Sequence, residues 1–242
     1  MFEFITKYFK SYPEYPFPNP ENYKYWWDRV DEFKQDNRQG GILFVGDSIT
    51  DGFRNLMPEF FNDKIRNQGI AGDTTVGLKK RLDCILQAAP DKIFLMIGSN
   101  NIGCHIIKGK QKDMFIYGDT KIPINKVAKE YLEDLTFIIN VIKKGLPETQ
   151  IFIENIIPIN SLYNYNIPDL QKLLKTRNNI DIIHFNELIK TFCYINKLTY
   201  IDLFTPFFEL YSGQCKADLV IDGCHPSRLG YEVWKQEIQN YL

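Results

Sequence analysis

Short apolar runs punctuate the chain, each followed by a longer stretch with helical spacing. Ile42-Leu43-Phe44-Val45 is apolar throughout, as are most of Lys92–Ile97 (KIFLMI) and Gln150–Ile157 (QIFIENII). Continuous apolar runs of this length are typical of parallel strands buried on both faces. Lys64–Asn67 and Thr199–Leu203 (TYIDL) are weaker strand candidates.

Between them, apolar residues recur at three and four positions, the period of an amphipathic helix. Trp26, Val30 and Phe33 predict a helix over Asn22–Lys34. Val76, Leu78, Leu82, Ile85 and Leu86 predict one over Thr74–Gln87, capped by Asp73 or Thr74. Ile124–Lys144 reads as a long helix, part of Leu170–Leu198 as another, and Arg228–Leu242 as the last. Strands alternating with helices of this length predict an α/β fold, with a mainly parallel sheet of about five strands and helices on both faces.

Two stretches break the rhythm. Residues 11–20 (SYPEYPFPNP) carry prolines too closely spaced for a helix and read as an extended, aromatic-rich arm. Between Ile97 and Ile124 lie more than twenty residues without clear periodicity, long for a connection in a compact domain and therefore a candidate functional loop. Lys108, Lys110 and Lys112 make it locally basic.

Composition narrows the function classes. At 242 residues, with 44% hydrophobic and 24% charged positions, the chain can bury one large core. The expected organisation is one domain: residues 1–40 form an arm and helix that pack on the body, 41–242. A net charge of −1 argues against nucleic acid as a partner, since phosphate binding needs clustered Lys and Arg. The five cysteines are widely spaced, with no C-x-x-C, which argues against a disulfide framework or zinc site. No segment offers the roughly 20 apolar residues needed to span a bilayer. The N-terminus shows no secretory leader, so the expected location is the cytoplasm.

Chemistry-bearing residues gather where the predicted strands end, the edge at which open parallel sheets bind ligands. Ser48, in Gly46-Asp47-Ser48, follows the first apolar run, where a strand-to-helix turn can expose its hydroxyl. A plain helix cap would explain it equally well. Gly72, in Gly69-Ile70-Ala71-Gly72-Asp73, can bring a backbone N–H close to a ligand, or simply make a turn. Asn100, in Gly98-Ser99-Asn100-Asn101, could donate an amide to a developing oxyanion, or close an Asx turn. His225 lies three residues after Asp222, close enough for the carboxylate to orient the imidazole, behind the apolar Leu219-Val220-Ile221.

Taken together, GDSIT, GIAGDTT, GSNN and DGCH resemble, in order, the four consensus blocks of the SGNH (GDSL-type) hydrolases, from Val45 to Gly230. Asp222–Tyr231 also resembles that family's D-G-x-H-P-x-x-x-G-Y ending. Arg177-Asn178-Asn179-Ile180, with Asn186 and Leu188, resembles a helix of its carbohydrate-esterase and platelet-activating-factor-acetylhydrolase-like members. The resemblance implies a flavodoxin-like three-layer α/β/α sandwich and a serine esterase that needs no metal or organic cofactor. It implies Ser48 as nucleophile, His225 as base and then acid, and Asp222 as the group orienting His225. The oxyanion hole would be the N–H groups of Ser48 and Gly72 with the Asn100 side chain. Asn101 stands where the family usually has Asp.

Asp47, Asn101 and His105 are candidate substrate contacts, whereas His184, inside an apolar helical pattern, is expected to be structural. Cys224, between Asp222 and His225, is expected to be a small buried hydrophobe. The expected partner is a small-molecule ester, an O-acetylated sugar first. Lysophospholipase or thioesterase activity, acetyl transfer, and a non-catalytic sugar-binding module are the alternatives. The aromatic-rich arm could serve a contact between copies of the chain.

Overall fold

The structure is a computed structural model and describes residues 20–104, 123–163 and 174–242. In chain order its main elements are α1 (Pro20–Gln35), β1 (Ile42–Gly46), α2 (Ser48–Leu56), β2 (Ile65–Gly69), α3 (Thr75–Lys80) and α4 (Leu82–Ala88). They continue with β3 (Lys92–Met96), α5 (Ser99–Cys104), α6 (Ile124–Gly145), β4 (Gln150–Glu154), α7 (Asn179–Asn196) and β5 (Thr199–Ile201). The last are α8 (Phe204–Phe207), a two-strand ribbon of β6 (Phe208–Glu209) and β7 (Gln214–Cys215), and α9 (Arg228–Ile238).

The five main strands are parallel, in the order β2-β1-β3-β4-β5. Side chains alternate between two cores. Leu43, Val45, Ile93, Leu95, Ile151 and Ile153 pack under α6 and α7 with Leu135, Ile138, Ile142, Phe185 and Ile189. Phe44, Phe94, Met96 and Phe152 face the opposite way, onto Ile49, Phe53, Trp234 and Ile238 of α2 and α9. Phe44, Phe94 and Phe152 share one register row, and their rings stack at 4.9 and 4.8 Å between centroids. This is the three-layer α/β/α arrangement expected from the strand pattern, with the flavodoxin-like order that puts a topological switch point between β1 and β3.

Helix α1 buries Trp26, Val30 and Phe33 against Ile70 and Cys84, as its spacing predicts. Residues 1–19, including the Pro-rich arm, lie outside the described residues.

Several expectations need correction. The helix predicted over Thr74–Gln87 is two helices, broken at Arg81. Arg81 is fully buried and turns its guanidinium inward, to the Asp73 carboxylate at 2.8 Å and the Gly46 carbonyl at 3.1 Å, so a tertiary ion pair overrides the local period. The aperiodic stretch after Ile97 opens with a helix, α5, whose polar Ser99-Asn100-Asn101 hides it from a hydrophobic count. Leu219-Val220-Ile221 is not part of the sheet: Ala217–Leu219 is a 3-10 turn, and Val220 makes only an isolated bridge to Pro226. His184 is exposed on α7 rather than packed in the core.

Candidate active site

Local geometry explains why Ser48 sits where it does. Asp47 caps α2, its Oδ1 accepting the Ile49 N–H at 2.9 Å, and Ser48 is the first helical residue. Gly46 lets the chain turn sharply there, because a Cβ would collide with Thr50 Oγ1 and the Met96 carbonyl. The N–H groups of the first turn of α2 thus face the crevice with the helix dipole behind them. Both ends of α2 are held from α9: Tyr231 donates its hydroxyl to the Ile49 carbonyl, beside Ser48, at 2.7 Å, and Arg228 reaches the Leu56 carbonyl at the far end at 2.8 Å.

His225 is brought to Ser48 by a loop built on Asp222. The Asp222 Oδ1 accepts two backbone N–H groups, from Cys224 at 2.9 Å and His225 at 2.6 Å. Its Oδ2 lies 2.5 Å from His225 Nδ1. The other ring nitrogen, Nε2, lies 2.9 Å from Ser48 Oγ. Gly223 makes the turn at φ +75°, where a Cβ would strike the Asn160 carbonyl. Burial pushes the Asp222 carboxyl up, but the hydrogen bond and charge of His225, with the two backbone donors, outweigh it and hold the pKa below the ordinary value. A carboxylate at Nδ1 fixes the proton there, so Nε2 is the atom able to accept the Ser48 proton.

Gly72 and Asn100 approach from the neighbouring strand ends. Gly72 is exposed and has φ +79°, a conformation suited to glycine. Asn100 sits in the first turn of α5 and donates its amide to the Asp73 carbonyl at 2.9 Å, so it is tied to the residue after Gly72. Arg177 Nη2 donates to Asn100 Oδ1 at 2.8 Å. Asp73 is itself anchored by Arg81 and by the Trp26 indole, which donates to Oδ1 at 3.1 Å. The site is therefore braced by the N-terminal helix, a role that only the burial of Trp26 hinted at.

The pattern places Ser48, Gly72, Asn100, Asp222 and His225 at strand ends; the structure joins Asp222, His225 and Ser48 in one hydrogen-bonded line and ties Asn100 to the residue after Gly72, with Asp222 and His225 in a loop rather than at a strand end. The proposed substrate contacts fare differently. Asp47 is 1% exposed and occupied as a cap, so it does not face the crevice. Its Oδ2 has no hydrogen-bond partner among the described residues, and burial pushes its pKa up to about 6. Asn101 bonds to Thr75, accepting the backbone N–H at 3.2 Å and donating to Oγ1 at 2.8 Å. His105 and most of the long loop lie outside the described residues.

Cys224 is buried, with its thiol pushed up to about 12 by desolvation, consistent with a small hydrophobe. Among the described residues, no three His, Cys, Asp or Glu side chains gather as a metal site, and no helix is long and apolar enough to cross a membrane.

Asn186 accepts the Ile156 N–H and donates to the Ile156 carbonyl, and Asn179 does the same at Ile159. They hold the segment after β4 in an extended path that Asn160 then ties to Gly223.

The profile of the GDSL-like lipase/acylhydrolase family matches residues 44–233. The chain belongs to that family. It is thus a member of a family of carboxylic ester hydrolases; three of its four blocks follow β1, β2 and β3, and the fourth, Asp222–His225, lies in a loop. No curated protein matches its sequence.

Solved structures resemble this hydrolase closely in fold. A Streptococcus pneumonia protein provisionally described as a platelet activating factor is 26% identical, with a TM-score of 0.68, covering 91% of this chain and 92% of that one. A GDSL-like lipase of Bacteroides thetaiotaomicron is 15% identical, with a TM-score of 0.68, covering 89% and 96%. An acetylxylan esterase of Geobacillus stearothermophilus is 20% identical, with a TM-score of 0.56, covering 85% and 95%.

Proposed function

We propose that this hydrolase removes small acyl groups, acetyl foremost, from a carbohydrate, with Ser48 as nucleophile, His225 as general base and acid, and Asp222 as its orienting carboxylate. The observation that carries the reading is the continuous line Asp222–His225–Ser48, with contacts of 2.5 and 2.9 Å. In the first step His225 Nε2 takes the Ser48 proton as Oγ bonds the carbonyl carbon. The carbonyl oxygen becomes an oxyanion, received by the N–H groups of Ser48 and Gly72 and by Asn100 Nδ2. Collapse breaks the ester C–O bond, and the imidazolium returns its proton to the departing alcohol. Water, deprotonated by the same Nε2, then releases the acid and frees Ser48.

The choice of an O-acetylated carbohydrate as substrate is supported by the likeness in fold to acetylxylan esterases. A lipid acylhydrolase is the second reading, favoured by the 26% identity to the Streptococcus pneumonia protein. Cys84, Cys193, Cys215 and Cys224 are unpaired, which suits the cytoplasm, and we take residues 1–40 as an extension of one domain, 41–242. Turnover of p-nitrophenyl esters of increasing acyl length, followed by a panel of O-acetylated sugars, tests the assignment. A steep preference for acetyl with release of acetate from sugars is expected. A preference for long acyl chains would replace it with the lipid reading, and no turnover of any ester would favour a binding module.

A further inference from the structure

Arg177 belongs to the segment ahead of α7 and is 5% exposed. Its guanidinium reaches across the site to α5: Nε donates to the Ser99 carbonyl at 2.9 Å and Nη2 to Asn100 Oδ1 at 2.8 Å. Nη1 reaches Thr176 Oγ1 at 3.1 Å. Space for this group is built into α5, since a Cβ on Gly103 would lie 2.6 Å from the guanidinium carbon.

The contact with Asn100 decides how that amide can work. An amide has one acceptor oxygen and one NH₂ with two donors. Here the oxygen faces a cation, and one N–H is committed to the Asp73 carbonyl at 2.9 Å. Rotating the amide by 180° would set NH₂ against the guanidinium and oxygen against a carbonyl, two repulsive pairs in place of two bonds. The orientation is therefore locked from both ends. The second N–H is left for a substrate oxygen. A cation at the amide oxygen also draws electron density from the nitrogen and strengthens the remaining donor.

We infer that Arg177 is a positioning residue for ester hydrolysis: it locks and polarises the Asn100 amide so that Nδ2–H meets the oxyanion. The inference rests on the esterase reading above. It assigns Arg177 no contact with substrate; the residue acts through Asn100.

The test is a double-mutant cycle on p-nitrophenyl acetate with Arg177→Met, Asn100→Ala and the pair, with circular dichroism and thermal melting to verify the fold. Loss of one oxyanion donor typically costs about 100- to 1,000-fold in turnover. A donor that is present but misoriented should cost less, so Arg177→Met should lower kcat about 10- to 100-fold while KM stays within about threefold. In the Asn100→Ala background the same substitution should change kcat by less than about threefold, because the group it positions is gone. Arg177→Lys, which keeps a cation, should recover part of the loss.

If the methionine variant does not fold, the lysine variant carries the same cycle, with a smaller loss confined to the Asn100 background. Equal losses in both backgrounds, or a loss confined to KM, would overturn the positioning role while the esterase reading stands. Absence of ester turnover in the unaltered chain would overturn both.

Discussion

Trp26 on the N-terminal helix donates its indole N–H to the Asp73 carboxylate at 3.1 Å, and the backbone carbonyl of the same Asp73 holds the Asn100 amide. One residue thus joins α1, the Gly72 loop and the first turn of α5. The other Asp73 oxygen meets Arg81 at 2.8 Å, with both side chains fully buried.

Removing one member of such a pair leaves an uncompensated charge in the core, which typically costs about 3–5 kcal/mol. Asp73→Ala should lose stability on that scale in urea unfolding and lower kcat as well, because the Asn100 anchor shifts. Trp26→Phe shrinks a buried ring and loses the hydrogen bond to the Asp73 carboxylate, so a loss of about 2–4 kcal/mol is expected.

Asn100→Ala should reduce kcat on an acetyl ester about 100- to 1,000-fold with little change in KM, the signature of a donor used in the transition state. Steady-state kinetics on p-nitrophenyl acetate measure it. A KM effect alone would move Asn100 from oxyanion stabilisation to substrate binding.

Glu154 ends β4 inside the second core, where Oε1 accepts the Trp234 indole N–H at 2.6 Å and Oε2 has no hydrogen-bond partner among the described residues. Burial pushes its pKa up to about 8, against 4.5 ordinarily. The folded protein therefore binds a proton that the unfolded chain releases between those values, and stability falls as pH rises through that window. At about 1.4 kcal/mol per pH unit, the penalty above pH 8 is about 5 kcal/mol. Glu154→Gln keeps the acceptor and cannot ionise, so it should flatten unfolding free energy against pH from about 4.5 to 8.

Asp222 has the opposite sign. Its folded pKa lies below the ordinary 3.8, so its stabilisation is present above that value and lost as pH falls through the folded pKa. Asp222→Asn should remove this acid-side contribution. It should also cost turnover heavily, since a neutral amide neither fixes the His225 tautomer nor balances the imidazolium. Urea unfolding at pH 2–5 and kcat at pH 7 check the two effects separately.

Much of this was legible in the residue pattern because the determinants are local. Ile42–Val45 has the pattern typical of a buried parallel strand, Ile124–Lys144 carries six turns of helical spacing, and each of the five proposed functional groups lies in a short motif. What stayed hidden depends on long-range partners. Arg81 breaks a helix to reach Asp73 and Gly46; Arg177 meets Asn100 across 77 residues of sequence. Nothing near either arginine announces its target. The apolar look of Leu219-Val220-Ile221 suggested a strand, whereas Leu219 and Val220 bury against α9 and Ile221 remains exposed.

The central claim is that Ser48, activated by His225, forms the acyl-enzyme. It is tested most directly by comparing acetyl-ester hydrolysis by Ser48→Ala with that of the unaltered chain, with circular dichroism confirming the fold. A serine-reactive phosphonate and peptide mass spectrometry should locate the label on Ser48 alone in the active protein. The account predicts loss of turnover and of labelling in a folded Ser48→Ala protein. Full turnover by that variant, or a label on another residue, would contradict it.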